Sequence, residues 1–362
     1  MKYSVDKSKK EKLYMQLYYS LREDITRGAY PYGSKLPSKR LLAEEAEVSV
    51  ISVMHAYDIL SDEGYIEPRE KSGYYVVFRE RDFSSAAPAR GGYTEVARTK
   101  PEGEGSGYSF PYATLARTMR KVISERGELL LERSPNEGVY ALRDEISRYL
   151  ARSCGIAAPP ERIIIGAGAE YLYDLVLLLL GRTRIYGIEY PSYEKIEQVY
   201  RANGVKTDRL PLLPDGIDAS ALARSPATVL HVTPFNSYPS HYTASASKRR
   251  LYLSWAEERD GYIIEDNYDS ELTPSKKHED TLFSMSDRVV YVNTFSRTVS
   301  PSLRVGYAIL PERLEKAFHE KLGFYSCAVP TFEQYVLCEL IAGGLFERHI
   351  NRVRRSKRRE QK

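Results

Sequence analysis

The chain has 362 residues, a formal net charge of +4 and 42% hydrophobic residues, too long for one ordinary core, so two or more domains are expected. Its three cysteines, Cys154, Cys327 and Cys338, match no disulfide or metal spacing and suit a reducing cytoplasm, with no metal expected. The polar opening MKYSVDKSKKEK is no signal peptide, and the longest apolar run, Leu175 to Leu180, is too short for a bilayer.

Charge is unevenly placed. Residues 1–80 hold 13 Lys or Arg against 13 Asp or Glu, whereas residues 348–362 hold eight against one. Global basicity therefore belongs to the C-terminal segment, and a case for nucleic-acid binding must rest on pattern.

Leu13, Leu17, Leu21 and Ile25 recur at helical spacing, which predicts an amphipathic helix over 12–28 ending at Gly28. Ser38 is placed to cap a helix over 38–46, and Ser49 to cap another running to about Glu63 with Val53, Ala56, Tyr57 and Leu60 inward. Tyr65-Ile66 and Tyr74 to Phe78 read as strands of a hairpin around Lys71, Ser72 and Gly73. Helix, helix, turn, helix, wing is a winged helix-turn-helix, whose second motif helix enters the major groove.

Residues 79–107 are rich in Gly, Ser, Pro and Ala and read as a flexible linker. From 108 to about 346, apolar strands alternate with helical stretches, the signature of a mostly parallel α/β sheet. IIIGAGAEYLYDL is a strand, a small-residue turn (Gly166, Ala167, Gly168, Ala169) and a helix whose N-terminus favours an anion. EYPSYEKI carries Tyr193, and GYIIEDNYDSEL ends a strand at Asp266 before Tyr268. NTFSRTVSPSLRVGYAILP carries Thr294, Ser296, Arg297 and Arg304. Taken singly, Tyr193 fits core or surface, Asp266 a strand end and Arg304 a surface ion pair.

Residues 12–78 resemble the GntR family of bacterial regulators through LYMQLYYSLREDI, GSKLPSKRLLA, VSVISVMHAYDILSDEGYI and the KSG wing. The resemblance implies Lys39, Arg40, Ser49, Ser52 and Lys71 as contacts to double-stranded DNA. Where the family has Ser-Arg at the start of the recognition helix, this chain has Ser49-Val50. The alternative is a winged helix retained for protein contacts.

The large region resembles fold-type I pyridoxal-phosphate enzymes, and the whole chain the MocR subgroup, a winged helix fused to an aminotransferase-like domain. The expected class is α/β: a winged helix-turn-helix over 1–78 and a three-layer aminotransferase-like large domain. The resemblance implies pyridoxal phosphate contacts from Gly168, Ala169, Tyr193, Asp266, Tyr268, Thr294, Ser296, Arg297 and Arg304. Asp266 would pair with the pyridine nitrogen, Tyr268 with the ring hydroxyl, and Arg304 with the phosphate. It also implies a homodimer and a small-molecule effector.

Arg297 stands where that pattern has its Schiff-base lysine. A guanidinium neither attacks an aldehyde nor moves protons, so no catalytic residue is assigned and any pyridoxal phosphate is expected to be non-covalent. The loop at Phe235, Asn236 and Ser237 lacks the family's His-Gln pair, and His241 replaces a glycine. Residues 347–362 read as the start of a small C-terminal subdomain otherwise absent: a solvated basic helix, or a DNA-phosphate arm. Three functions are weighed: a DNA-binding regulator with an inactive aminotransferase-like domain, a working aminotransferase, and a remnant that only dimerises. The first is preferred.

Overall fold

The computed structural model describes Tyr3, Val5, Asp6 and residues 11–70, 72–78, 110–267, 270–273 and 280–360. The linker read over 79–107, Lys71 and Tyr268 lie outside the described residues. The chain divides into two compact units, Met1–Arg98 and Thr99–Lys362.

In the first unit, α1 (Leu13–Thr26) buries Leu17, Tyr18, Leu21 and Ile25, so that of the expected stripe Leu13 alone is only half-buried. The Ser38 hydroxyl accepts the Leu41 amide at 3.2 Å and opens α2 (Lys39–Glu45). Ser49 accepts the Ser52 amide at 3.1 Å and opens α3 (Val50–Asp62), which buries Val53, Ala56, Tyr57 and Leu60. Each hydroxyl satisfies an amide that the first helical turn leaves unpaired.

The wing is β1 (Ile66–Arg69) antiparallel to β2 (Gly73–Val76), with Ile66 opposite Val76. It ends two residues short of the expected Phe78. The Val77 and Phe78 amides both donate to the Tyr65 carbonyl, and the two rings lie 5.4 Å apart, so the chain curls around Tyr65.

In the second unit, α4 (Tyr112–Arg126) and α5 (Tyr140–Cys154) precede β3 (Ile163–Gly166) and α6 (Ala169–Leu180). Then come β4 (Ile185–Tyr190), α7 (Glu194–Ala202), β5 (Lys206–Leu213), β6 (Gly216–Ile217) and α8 (Ala219–Arg224). Next are β7 (Val229–Val232), α9 (Ala246–Glu258), β8 (Tyr262–Asp266), α10 (Leu282–Met285) and β9 (Val289–Thr294). The chain continues through β10 (Gly306–Ile309), α11 (Glu312–Leu322), α12 (Thr331–Ala342) and α13 (Leu345–Glu360).

The strands form one eight-stranded sheet, β3-β10-β9-β8-β7-β4-β5-β6. It is parallel from β9 through β8, β7 and β4 to β5, while β10 runs antiparallel to both β3 and β9. Side chains alternate between faces, so Ile164, Val290, Val292 and Ala308 pack with α6, α7 and α11 on one side. Ile163, Ile165, Tyr291 and Tyr307 pack with residues of α4, α5, α12 and α13 on the other. This is a three-layer α/β domain.

The boundary read at 346/347 falls inside α13. Phe346, His349, Ile350 and Val353 are buried at helical spacing, and Phe346 sits 5.1 Å from Tyr149 and 5.5 Å from Phe295. Arg354 donates to the Glu271 carbonyl at 2.6 Å. The solvated-helix reading is therefore corrected: one stripe of the basic segment belongs to the core, hidden in the sequence by the cations around it.

Candidate cofactor site and nucleic-acid interface

Register gathers the expected site residues at one sheet edge. Gly306, which opens β10, lies opposite both Gly166, which closes β3, and Thr294, which closes β9. The segments beyond those ends, carrying Gly168-Ala169, Ser296-Arg297 and Arg304, must start beside one another. Asp266 closes β8, parallel to β9, so it points along the same direction.

The Asp266 end is a buried polar network. Asp266 is 2% exposed and accepts the Tyr173 hydroxyl at Oδ2. His231 Nε2 stands 3.7 Å from that oxygen, and its Nδ1 shares a 2.6 Å hydrogen bond with the Tyr200 hydroxyl. Burial first, and then the Asp266 charge, hold the Tyr173 hydroxyl well above its ordinary range, so it stays a donor. Oδ1 of Asp266 is buried with no hydrogen-bond partner among the described residues. An unpaired carboxylate oxygen in such a place is costly.

The Arg304 end is more open. Arg304 adopts a left-handed backbone (φ +49°), its side chain is 52% exposed, and its guanidinium bonds Glu170 at 3.0 Å. Lys195 reaches the other oxygen of Glu170 at 3.1 Å. Burial would raise the Glu170 carboxyl, but its own backbone amide, Lys195 and Arg304 outweigh that and lower it, so it is charged. Gly168, at φ +92°, caps α6; a Cβ there would come within 3.1 Å of the Arg304 guanidinium. The positive φ favours glycine at the helix start, and its missing Cβ leaves room for the Arg304 guanidinium. Glu170 and Tyr173 lie one turn apart on α6, so a single helix serves both ends.

Among the remaining candidates, Ala169 opens α6, Tyr193 caps α7 and Thr294 is buried at the end of β9. Ser296 and Arg297 sit half-buried in the turn after β9, which is closed by the Val299 amide on the Phe295 carbonyl at 2.8 Å. In the neighbouring loop, the Ser237 hydroxyl and the Thr233 amide donate to buried Glu189 at 2.9 and 3.1 Å. His241 adopts φ +59°, which explains why a glycine suits that position.

Sequence reading missed His231, Tyr173, Tyr200, Glu170 and Lys195. A histidine inside the wholly buried strand VLHV was the available signal for His231. Lys195 is an amine near the site, but hydrogen bonds to Tyr193 and then Glu170 raise its pKa and keep it an ammonium ion.

In the first unit, Lys39 and Arg40 occupy the first turn of α2, with the Lys39 ammonium 5.0 Å over the Tyr74 ring. Ser49 and Ser52 lie at the start of α3 with hydroxyls 2.9 Å apart. Among the described residues no group of side chains could hold a metal ion and no helix is long and apolar enough to cross a membrane.

Comparison with known proteins bears on both units. Residues 13–76 match the family model for bacterial regulatory proteins of the gntR family. An archaeal alanine:glyoxylate aminotransferase shares the fold, with TM-score 0.61 and 24% identity over 66% of this chain and 62% of its own. LysN, an α-aminoadipate aminotransferase from Thermus thermophilus, superposes with TM-score 0.59 and 29% identity over 68% of this chain and 64% of its own. The chain thus spans under two thirds of those enzymes. Three regulators align across almost all of it. The uncharacterised HTH-type regulator YdeL of Bacillus subtilis is 31% identical over 96% of this chain and 77% of its own length. The pyridoxine biosynthesis regulator PdxR of Corynebacterium glutamicum is 30% identical over 94% and 75%. The probable rhizopine catabolism regulator MocR of Rhizobium meliloti is 29% identical over 97% and 76%. A gntR-type winged helix followed by an aminotransferase-like domain, in the order these regulators share, means that the chain belongs to the MocR/PdxR-type helix-turn-helix transcriptional regulators.

Proposed function

We propose that this regulator's large domain is a catalytically inactive sensor that holds pyridoxal phosphate, or a related phosphorylated pyridine, without a covalent bond, and that the ligand alters operator binding by a homodimer. The observation that carries this reading is the buried Oδ1 of Asp266, without a hydrogen-bond partner among the described residues, on a carboxylate held by Tyr173 with His231 beside it. A carboxylate so placed suits a protonated ring nitrogen. Arg304, Gly168 and Ala169 at the start of α6 would take the phosphate. Tyr193, Thr294 and Ser296 would line the ring and its substituents, with Tyr268 two residues after Asp266 in sequence. The relatives' names agree: PdxR regulates pyridoxine biosynthesis, and the LysN structure holds a phosphopyridoxyl compound.

Bound, the cofactor would supply an electron sink. Turnover also needs an amine that can shed and regain a proton, and Arg297 cannot. A guanidinium offers hydrogen-bond donors but no imine, so retention would rest on non-covalent contacts, those of Asp266 and Arg304 foremost.

The test is equilibrium dialysis with pyridoxal phosphate, followed by borohydride treatment and intact-mass measurement. Wild type is expected to bind saturably and gain no mass, whereas Arg297→Lys gains one phosphopyridoxyl group. Retention by neither protein removes the sensing reading. Keto-acid formation by wild type from any amino donor would instead establish the aminotransferase.

A further inference from the structure

The outward face of α3 is hydrocarbon where base readout commonly uses amides or guanidinium groups. In its N-terminal turns Val50, Ile51 and Met54 are 45, 62 and 37% exposed. The Ser49 hydroxyl is held by capping the helix and by Ser52, and His55 packs edge-on against Tyr14 at 5.5 Å between ring centres. The helix VISVMHAYDILSD contains no Lys, Arg, Asn or Gln. Bidentate readout of guanine or adenine is therefore closed to it. The N-terminal turns of a recognition helix are the part that meets base edges. In the major groove the group that an aliphatic side chain can recognise is the C5-methyl of thymine.

Phosphate contacts can come from α2. Lys39 and Arg40 lie in its first turn, on the helix that crosses the backbone in this motif. Residues 1–80 are charge-balanced with these two cations included, so non-specific attraction is weak and base contacts carry more of the selectivity.

We propose that α3 reads its operator half-site through thymine methyl groups packed against Val50, Ile51 and Met54, while Lys39 and Arg40 hold the phosphates. This rests on the family membership, not on the ligand reading above.

The experiment selects duplexes from a random-sequence pool with the full chain, then replaces each thymine of the selected site by deoxyuridine in turn. Thymine is expected at two or more adjacent positions, and each methyl removed there weakens binding about fourfold. Val50→Ala or Ile51→Ala abolishes the loss at its own position, while Lys39→Ala weakens thymine and uracil duplexes alike and flattens the salt dependence. These side chains are exposed, so the variants fold. Full affinity for an all-uracil half-site, with losses falling on 7-deazaguanine positions instead, overturns the proposal. Retained DNA without any enriched sequence also overturns it. So does a Val50→Ala variant that changes self-association but not DNA affinity. A chain that retains no DNA defeats DNA recognition as well as this mode of it.

Discussion

Around Asp266, the side chains of Tyr173, His231 and Tyr200 are all buried, Tyr173 bonded to Asp266 and Tyr200 to His231. Around Arg304, the guanidinium is half in solvent and already neutralised by Glu170, which Lys195 shares. The comparison shows that the two ends of one site answer to different constraints. Removing a member of a buried network leaves other buried groups unsatisfied, so stability preserves it whatever the ligand does. An exposed ion pair contributes little to stability and is free to change.

The largest effect that would break this contrast lies at Asp266. Asp266→Ala should lower unfolding stability by about 3 kcal/mol, because Tyr173 loses its acceptor and His231 its neighbour inside the core. Asp266→Asn, which keeps an acceptor, should cost clearly less. Denaturant midpoints measure both, and an Asp266→Ala protein as stable as wild type would mean that the network is not structural.

An effect of intermediate size comes from Glu189, on the same buried side. Burial pushes its carboxyl from 4.5 to about 8, against the Thr233 and Ser237 hydrogen bonds. Glu265 is raised in the same way, to about 7, against the Phe283 and Leu282 amides. Below about pH 4.5 folded and unfolded chains both hold these protons. Above it the unfolded chain has lost protons that the folded chain keeps, so stability falls as pH rises towards 8. Glu189→Gln should flatten that decline, as read from unfolding curves at pH 5 and pH 8. An unchanged slope would assign the effect elsewhere.

The smallest effect belongs to the open end. Glu170→Gln frees Arg304 and Lys195 for an incoming phosphate and should tighten binding of pyridoxal phosphate by about fivefold, with unfolding stability nearly unchanged. Equilibrium dialysis gives the first and thermal denaturation the second. A large loss of stability in this variant would erase the distinction between the two ends.

Much of the chain was legible before its structure. The caps Ser38 and Ser49, the inward set Val53, Ala56, Tyr57 and Leu60, and the strand-turn-helix at Ile163 to Leu180 are local signals carried by neighbours in sequence. The order of landmarks from Gly168 to Arg304, and the arginine at 297, were equally plain. Glu170 was not read as a partner of Arg304, because 134 residues separate them and only the pairing of β3 with β10 brings them together. His231 and Tyr173 remained unread for the same reason, and α13 was misjudged because a charge count conceals a stripe of four buried side chains.

The sequence by itself determined the elements, their caps and the chemistry available at each position, since periodicity and hydrogen-bonding type are local properties of the chain. Tertiary structure alone decided which charges neutralise one another and which polar groups are buried. Strands joined by long crossovers choose their neighbours by packing the whole sheet, and that choice turned Glu170 towards Arg304 and Tyr173 and His231 towards Asp266.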